Sequence, residues 1–311
     1  MSGLFFFLVV MIGAISKPFG GSPGYGDGDR PRPGYGDLER VPVADDWFEV
    51  HIAAPGVLAI SEPFQWQEVI SYLITGSERA LLFDTGMGIG SISSVVRELT
   101  SLPVTVLNSH THFDHIGGNA EFGRILAMDT DYTRRSTSGI ANADVRREVS
   151  PGALRRPLPK GFDPSTYCIA PFEVTGYIAD GHRIDLGDRE LEVVGVPGHT
   201  PDSIALLETD SGFLWTGDTF YEGPIWLFVP ETDLAAYEES LERLVGLVPR
   251  LSTLFPAHEA PRANPGRLEE LRNALALVKG GETRGESTGD GRIEYRFGAF
   301  SLLMEESGPT G

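Results

Sequence analysis

Residues 108–119 read NSHTHFDHIGGN, which puts three imidazoles and a carboxylate, His110, His112, Asp114 and His115, within six positions. Imidazole nitrogens and carboxylate oxygens are ligands for borderline divalent cations. Such a cluster, with almost no aliphatic cover, does not make a piece of core, because buried unpaired polar groups are expensive. Either a solvated loop carries these side chains or something positive sits among them. Three further residues favour the second reading. His199 in GVPGHTPDS, Asp218 in LWTGDTFY and His258 in FPAHEA each follow an apolar, strand-like run and sit in a turn-like context, as the first cluster follows PVTVLNS. Polar ligands placed just past the end of a buried strand are held rigidly. Seven such groups are too many for one tetrahedral ion, whereas two ions sharing a bridging carboxylate and a bridging hydroxide would use them all.

The surrounding pattern supplies the elements that must position these groups. From Trp47 onward, WFEVHI, GVLAIS, VISYLIT and ALLFDTG read as short strands joined by tight turns, followed by a helix over about 91–99 and a buried strand over 103–109. Residues 129–177 are broken by Pro151, Pro157, Pro159, Pro164 and Pro171 and read as an inserted lid. Further strands are expected over about 183–186, 190–195, 203–208 and 213–216. Two helices follow. The first carries Leu234, Tyr237, Leu241, Leu244 and Val248 on one face, and the second opens at Asn264-Pro265 and carries Leu268, Leu271, Leu275 and Val278. RIEYRFGAFSLLM reads as one last strand. Strands then helices, twice over, indicate an α+β fold of two sheets packed face to face with helices outside.

The formal charge of −19, with 44 acidic against 25 basic residues, argues against a nucleic-acid partner, which needs clustered Lys and Arg to displace counterions. One cysteine, Cys168, excludes an intrachain disulfide framework and reads as a lid residue. The apolar run LFFFLVVMIGAI at 4–15 is too short to span a bilayer and has the length of a signal-peptide core, with Ala14 and Ser16 as a small-x-small cleavage site, although no Lys or Arg precedes it. Residues 1–16 are assigned to that reading. Cleavage implies a periplasmic or extracellular protein without a membrane span; a mis-assigned start implies a cytoplasmic one. Residues 17–46, rich in Gly, Pro and Asp and containing PGYGD twice, read as a flexible linker. The folded domain then covers 47–304, with a tail over 305–311.

HxHxDH at 110–115, followed in order by His199, Asp218 and His258, resembles the metallo-β-lactamase superfamily, and the resemblance extends over the whole of 47–304. It implies a four-layer αββα sandwich of two mixed sheets with helices on the outer faces and metals at the edge between the sheets. Carried over by position, His110, His112 and His199 hold the first metal, Asp114, His115 and His258 the second, and Asp218 bridges them. Asp84 in LFDTG matches an aspartate that supports the metal loop from outside. The implied cofactors are two divalent ions, zinc foremost, with iron and manganese compatible with the same donors. His51 and His182 match no motif position and read as structural or surface residues. The implied reaction is hydrolysis in which a hydroxide bridging the metals attacks a carbonyl, Asp114 orients it and accepts a proton, and no protein nucleophile is needed.

The bond cut is a separate question. β-Lactamases of this superfamily often carry cysteine where this chain has Asp218 and grip the drug with a lysine, and neither feature is visible here. Asp218 within TGDTFY is similar to glyoxalase-II-like thioesterases and to lactonases. Asp218 and Tyr221 stand in the D-x-x-Y spacing by which some lactonases set a tyrosine over the carbonyl oxygen; packing under the lid is the other reading of Tyr221. GDTFYEGPIWLF followed by DLAAYEESLERL is similar to acyl-thioesterase-like members. Phe162, Tyr167 and Phe172 of the lid, with Trp226 and Phe228, are candidates for an acyl pocket, or are simple anchors. The expected function is therefore a di-metal hydrolase of a small carboxylic thioester, ester or lactone. A β-lactam hydrolase is the alternative, and a phosphodiesterase or nuclease would need a basic groove that this acidic chain does not show. A binding protein on a degraded scaffold would have no reason to keep seven costly polar groups aimed at one point.

Overall fold

The computed structural model describes Arg32 and residues 34–306. The expected signal peptide lies outside the described residues. Strand runs such as ISYLIT and ALLF are buried on both faces, so they need cover on both sides. Eight strands form the first sheet in chain order: β1 (Arg40–Val41), β2 (Glu49–Ala54), β3 (Val57–Ser61), β4 (Ile70–Thr75), β5 (Ala80–Phe83), β6 (Val104–Leu107), β7 (Ile125–Met128) and β8 (Gly176–Ile178). It is antiparallel from β1 to β5 and parallel from β5 to β8. The second side of the sandwich is two ladders. One contains β9 (Arg183–Asp185), β10 (Glu190–Gly195), β11 (Ile204–Glu208), β12 (Phe213–Gly217) and β14 (Thr253–Pro256). The other contains β13 (Pro224–Leu227), β15 (Glu286–Ser287), β16 (Arg292–Phe297) and β17 (Phe300–Glu305).

Alternation along the strands fills three cores and thereby fixes four layers. Leu82, Val106 and Leu73 pack outward with Ile92, Val95 and Val96 of α1 (Ile92–Leu99). Leu81, Phe83 and Tyr72 point the other way, against Leu206, Trp215 and Phe255 of the second sheet. Leu214 and Leu254 face the opposite side, against α5 (Leu234–Val245) and α6 (Arg267–Lys279), which contribute Tyr237, Leu241, Leu268 and Leu271. This is the expected αββα sandwich. Three short helices complete it: α2 (Phe113–Ile116), α3 (Asp131–Ser136) and α4 (Asn142–Val145). Among the described residues no helix is long and apolar enough to cross a membrane.

Three local expectations change. The last apolar run is a hairpin, because Gly298 adopts φ +70° and returns the chain from β16 to β17. Within the expected linker, Arg32 and residues 34–46 are attached to the domain. Arg32 pairs with Glu49 at 2.7 Å, Tyr35 is buried with its ring edge-on to His51, and β1 adds to β2. A few anchoring side chains outweigh the Gly- and Pro-rich composition there. In the 129–177 insertion, Val145, Val149, Tyr167 and Ile169 join the outer core of the first sheet, and Phe162 and Phe172 pack against it. The Tyr167 hydroxyl donates to the Met87 carbonyl at 2.8 Å. The insertion's aromatic residues thus act as anchors, while Cys168 is exposed.

Each sheet holds a parallel pair whose carboxyl ends meet at one edge of the sandwich. β5 and β6 run into Asp84 and the His110 cluster, and β12 and β14 run into Asp218 and His258. Backbone passes very close to backbone behind the cluster: Gly117 donates its N–H to the Gly86 carbonyl at 2.8 Å, and a Cβ on Gly117 would lie 2.2 Å from the Met87 carbonyl carbon. Gly117→Ala is expected to destabilise the fold by about 1–3 kcal/mol through overpacking. Gly123→Ala, where a Cβ meets nothing within 4 Å, is the control. Thermal denaturation checks this, and equal melting temperatures for the two variants would contradict it.

Candidate metal centre

The strand ends deliver all seven expected side chains to one buried centre. His110, Asp114, His115, His199, Asp218 and His258 are each no more than 8% exposed, and His112 is the most open, at 15%. His110 Nε2 and His199 Nε2 lie 2.9 and 3.1 Å from His112 Nδ1. These two separations are close to the ~3.3 Å edge of a tetrahedron whose centre is ~2.05 Å from each ligand. A second group forms beside it, with Asp114 Oδ2 3.6 Å from His115 Nε2 and 3.7 Å from His258 Nε2. Asp218 stands between the groups and divides its oxygens. Oδ2 faces His199 and His110 at 3.6 and 4.0 Å, and Oδ1 faces His258 and His115 at 3.1 and 3.4 Å. His110, His112 and His199, and likewise Asp114, His115 and His258, converge closely enough to hold a metal ion. His115 Nε2 and Asp218 Oδ1 are buried without a hydrogen-bond partner, so this donor set fits divalent cations.

Every imidazole is tied down through the nitrogen it turns away from the centre, the arrangement that fixes tautomer and ring orientation in metal sites. His199 Nδ1 meets the Trp226 carbonyl at 2.9 Å, and His258 Nδ1 meets the Gln67 carbonyl at 2.8 Å. His115 Nδ1 meets Asp84 Oδ2 at 2.9 Å. His110 Nδ1 lies 3.0 Å from Ser109 Oγ, which donates onward to Asp84 Oδ2 at 2.8 Å. His112 Nε2 meets Glu231 Oε1 at 2.8 Å. Asp84 also accepts the Ser109 N–H at 2.7 Å and holds φ +68°, a strained conformation for a residue with a Cβ. The other two non-glycine residues with positive φ among those described, Glu68 and Glu259, directly follow Gln67 and His258.

Electrostatics divide the centre in two. Burial holds His110 well below the ordinary imidazole range, with the neighbouring His115 adding to the effect, and lowers His199 to about 4. Both shifts favour the neutral imidazole, the form in which a histidine can ligate a metal. Burial also opposes charge on His115, but Asp114, Asp218 and Asp84 together lift it well above the ordinary range. His258 is raised in the same way, against burial, by Asp218 and Asp114. Against burial, His258, His115 and His110 hold Asp218 well below the ordinary carboxyl range.

Tyr221 is not placed as the D-x-x-Y comparison implies. Its ring lies 4.9 Å from the His258 ring, but its hydroxyl donates to the Pro224 carbonyl, and the side chain belongs to the core under α5 and α6. His51 and His182 lie away from the centre, the first buried on β2 and the second exposed. Glu231, Tyr132 and Gln67 join the site without having been expected, and Trp226, a candidate for the acyl pocket, joins it by holding His199. Two of them act through backbone carbonyls, which carry no side-chain signal.

An αββα sandwich with a buried His/Asp centre at the edge between its sheets defines a class, the metal-dependent hydrolases of this architecture. A family model described as the metallo-beta-lactamase superfamily matches residues 66–258, and the chain belongs to that superfamily. It is 27% identical over 226 residues to the acyl-coenzyme A thioesterase MBLAC2 of Gallus gallus, covering 68% of this chain and 81% of that protein. It is 31% identical over 211 residues to a hydroxyacylglutathione hydrolase of Methylococcus capsulatus, covering 65% of this chain and 69% of that one. A metallo-beta-lactamase family protein from Thermus thermophilus shares the fold with a TM-score of 0.52 at 22% identity, over 73% of this chain and 82% of that one.

The unequal proton affinities give the two donor groups different pH dependences. A cation entering the group of Asp114, His115 and His258 must displace protons from imidazoles whose pKa is raised, so its affinity is expected to climb with pH through neutrality. His110 and His199 are already deprotonated there, so that group's affinity should change less. Zinc titration calorimetry in buffers of different ionisation enthalpy would report the proton release. An observed heat independent of buffer would contradict this division.

Proposed function

We propose that this chain hydrolyses a small carboxylic thioester, using two divalent cations, zinc foremost. One is held by His110, His112 and His199 and the other by Asp114, His115 and His258, with Asp218 joining the two. The observation that carries this reading is the division of Asp218, whose two oxygens face different donor groups at 3.1–4.0 Å. Bound there, such cations lower the pKa of water toward neutrality and withdraw charge from a carbonyl oxygen. The chain's own contribution is to keep five imidazoles oriented and two carboxylates available in a centre largely closed to solvent. Asp114 points its Oδ2 into the second group, where it can orient a water and take its proton.

Thioesters are favoured over lactones and β-lactams for three reasons. The Tyr221 hydroxyl is committed to Pro224, which removes the support for a lactonase-like carbonyl grip. Relatives named acyl-coenzyme A thioesterase and hydroxyacylglutathione hydrolase both act, by those names, on acyl groups carried on sulfur. A thiolate also departs without a general acid, and this reading assigns none. The acyl portion is assigned to a strip of aromatic rings, of which Trp66 also donates to Glu148 and Phe228 also lies under the Arg292 guanidinium. Trp66 stacks on Trp226 at 5.8 Å, and Trp226 meets Phe228 at 5.1 Å. The strip adjoins the centre, because Trp226 holds His199 through its carbonyl and Trp66 precedes Gln67, which holds His258.

A panel of acyl-thioesters, lactones, β-lactams and phosphodiesters tested on one metal-replete preparation is expected to rank thioesters first by kcat/KM. A higher rank for phosphodiesters or β-lactams would overturn the reading. Asp218→Ala is expected to lose one of two bound metal equivalents and at least about a hundredfold in kcat/KM, since a cation's charge stabilisation is worth several kcal/mol. Full activity in that variant would refute the mechanism. Trp226→Ala keeps the carbonyl that holds His199. It is expected to raise KM for a long-chain acyl-thioester by ~10-fold while leaving an acetyl thioester and kcat little changed, because the lost binding is uniform. An equal change for both chain lengths would show that the strip does not hold the acyl group.

A further inference from the structure

His112 differs from His110 and His199 in presenting Nδ1 to the centre, where it faces both of their Nε2 atoms. For Nδ1 to offer a lone pair, the proton must sit on Nε2, and an acceptor must hold it there. The acceptor is Glu231, 2.8 Å away and 119 positions distant in the chain. The same Glu231 oxygen accepts the Tyr132 hydroxyl at 2.8 Å, and the Tyr132 ring stands edge-on to His112.

Both partners are themselves anchored. Glu231 lies on the loop from β13 to α5, which is latched to the loop carrying His199: Asp233 N–H donates to the Gly198 carbonyl at 2.8 Å, and the Thr232 hydroxyl donates to the His199 carbonyl at 3.3 Å. Tyr132 lies on α3 of the insertion. Its neighbour Thr133 donates to Asp202 at 3.0 Å, and Asp202 also accepts from Thr111 and Thr200, each at 2.7 Å. Those threonines immediately precede His112 and follow His199. The half-buried Glu231 oxygen that meets His112 is thus itself held by a residue of the insertion.

We propose that Glu231, steadied by Tyr132, is the positioning residue that keeps His112 in the Nδ1-ligating tautomer and docks the insertion onto the first metal site. This rests on the metal-binding role proposed for His110, His112 and His199. Losing such an outer partner costs about 10–100-fold in metal affinity. The test is competition of zinc against a chromophoric chelator for the wild type, Glu231→Ala, Glu231→Gln and Tyr132→Phe, together with the visible spectra of the cobalt-loaded proteins. Glu231→Ala is expected to weaken one of two equivalents about 10–100-fold and alter one cobalt band set, leaving the other equivalent unchanged. Glu231→Gln, whose amide oxygen still accepts from Nε2, should recover most of the affinity, and Tyr132→Phe should fall between the wild type and Glu231→Ala. Should Glu231→Ala fail to fold, Tyr132→Phe carries the test, and wild-type affinity in that variant would overturn the proposal. Wild-type affinity and spectra in a folded Glu231→Ala would overturn this proposal alone. A wild-type chain that binds no metal would overturn it together with the proposed function.

Discussion

Five imidazoles and two carboxylates largely stripped of water and turned toward one another are costly: His112 Nδ1 lies 2.9 and 3.1 Å from two other imidazole nitrogens, and Asp218 Oδ1 and His115 Nε2 lie buried without partners. Lone pairs aimed at a common point repel unless positive charge stands among them. Carboxylates beside His115 and His258 favour a relieving proton there, Asp114 and Asp218 on both and Asp84 on His115 as well. On His110 and His199 burial disfavours a second proton, which favours a lone pair on the Nε2 that faces the centre. Divalent cations held there would satisfy both halves. The remaining structure is an arrangement for holding these groups in place despite that cost.

The sandwich does this by bringing strand ends together from both sheets. β5 and β6 in the first, and β12 and β14 in the second, end at the same edge, so residues from 84 to 258 meet without any long flexible reach. Strand ends alone would leave the rings free to rotate. The outward nitrogens are therefore bound by Ser109, Asp84, Glu231 and the carbonyls of Trp226 and Gln67. Strain is concentrated in the same place. Glu68, Asp84 and Glu259 hold left-handed conformations, which cost on the order of 1–3 kcal/mol each and persist only where surrounding contacts over-determine them. The α2–Met87 backbone contact through Gly117 and the close approach of Gly217 to Ser109 leave the loops little room to relax.

Much of this was legible in the sequence because its signals are local. Ligand types crowd into 110–115, apolar runs stop at His199, Asp218 and His258, and the α5 and α6 faces repeat at helical spacing. The parts that were not legible depend on topology or on groups without a side-chain signature. Glu231 and Tyr132 meet His112 only because α3 and the β13–α5 loop fold over one site, and neither stands in a motif. Gln67 and Trp226 contribute carbonyls, which any residue has. The hairpin at Gly298 was hidden because the apolar pattern continues through the turn. The anchoring of 34–46 was hidden because Tyr35 and Arg32 are isolated in a Gly- and Pro-rich context. Tyr221 shows the limit of spacing alone: D-x-x-Y is satisfied, yet the backbone after Asp218 turns the hydroxyl toward Pro224.

Anomalous diffraction from crystals of the metal-loaded protein, collected at the absorption edge of the bound ion, tests the central claim most directly. Two peaks roughly 3.5–4 Å apart are expected, with the Asp218 carboxylate between them, one beside His110, His112 and His199 and the other beside Asp114, His115 and His258. A single peak, or peaks away from these side chains, would contradict it.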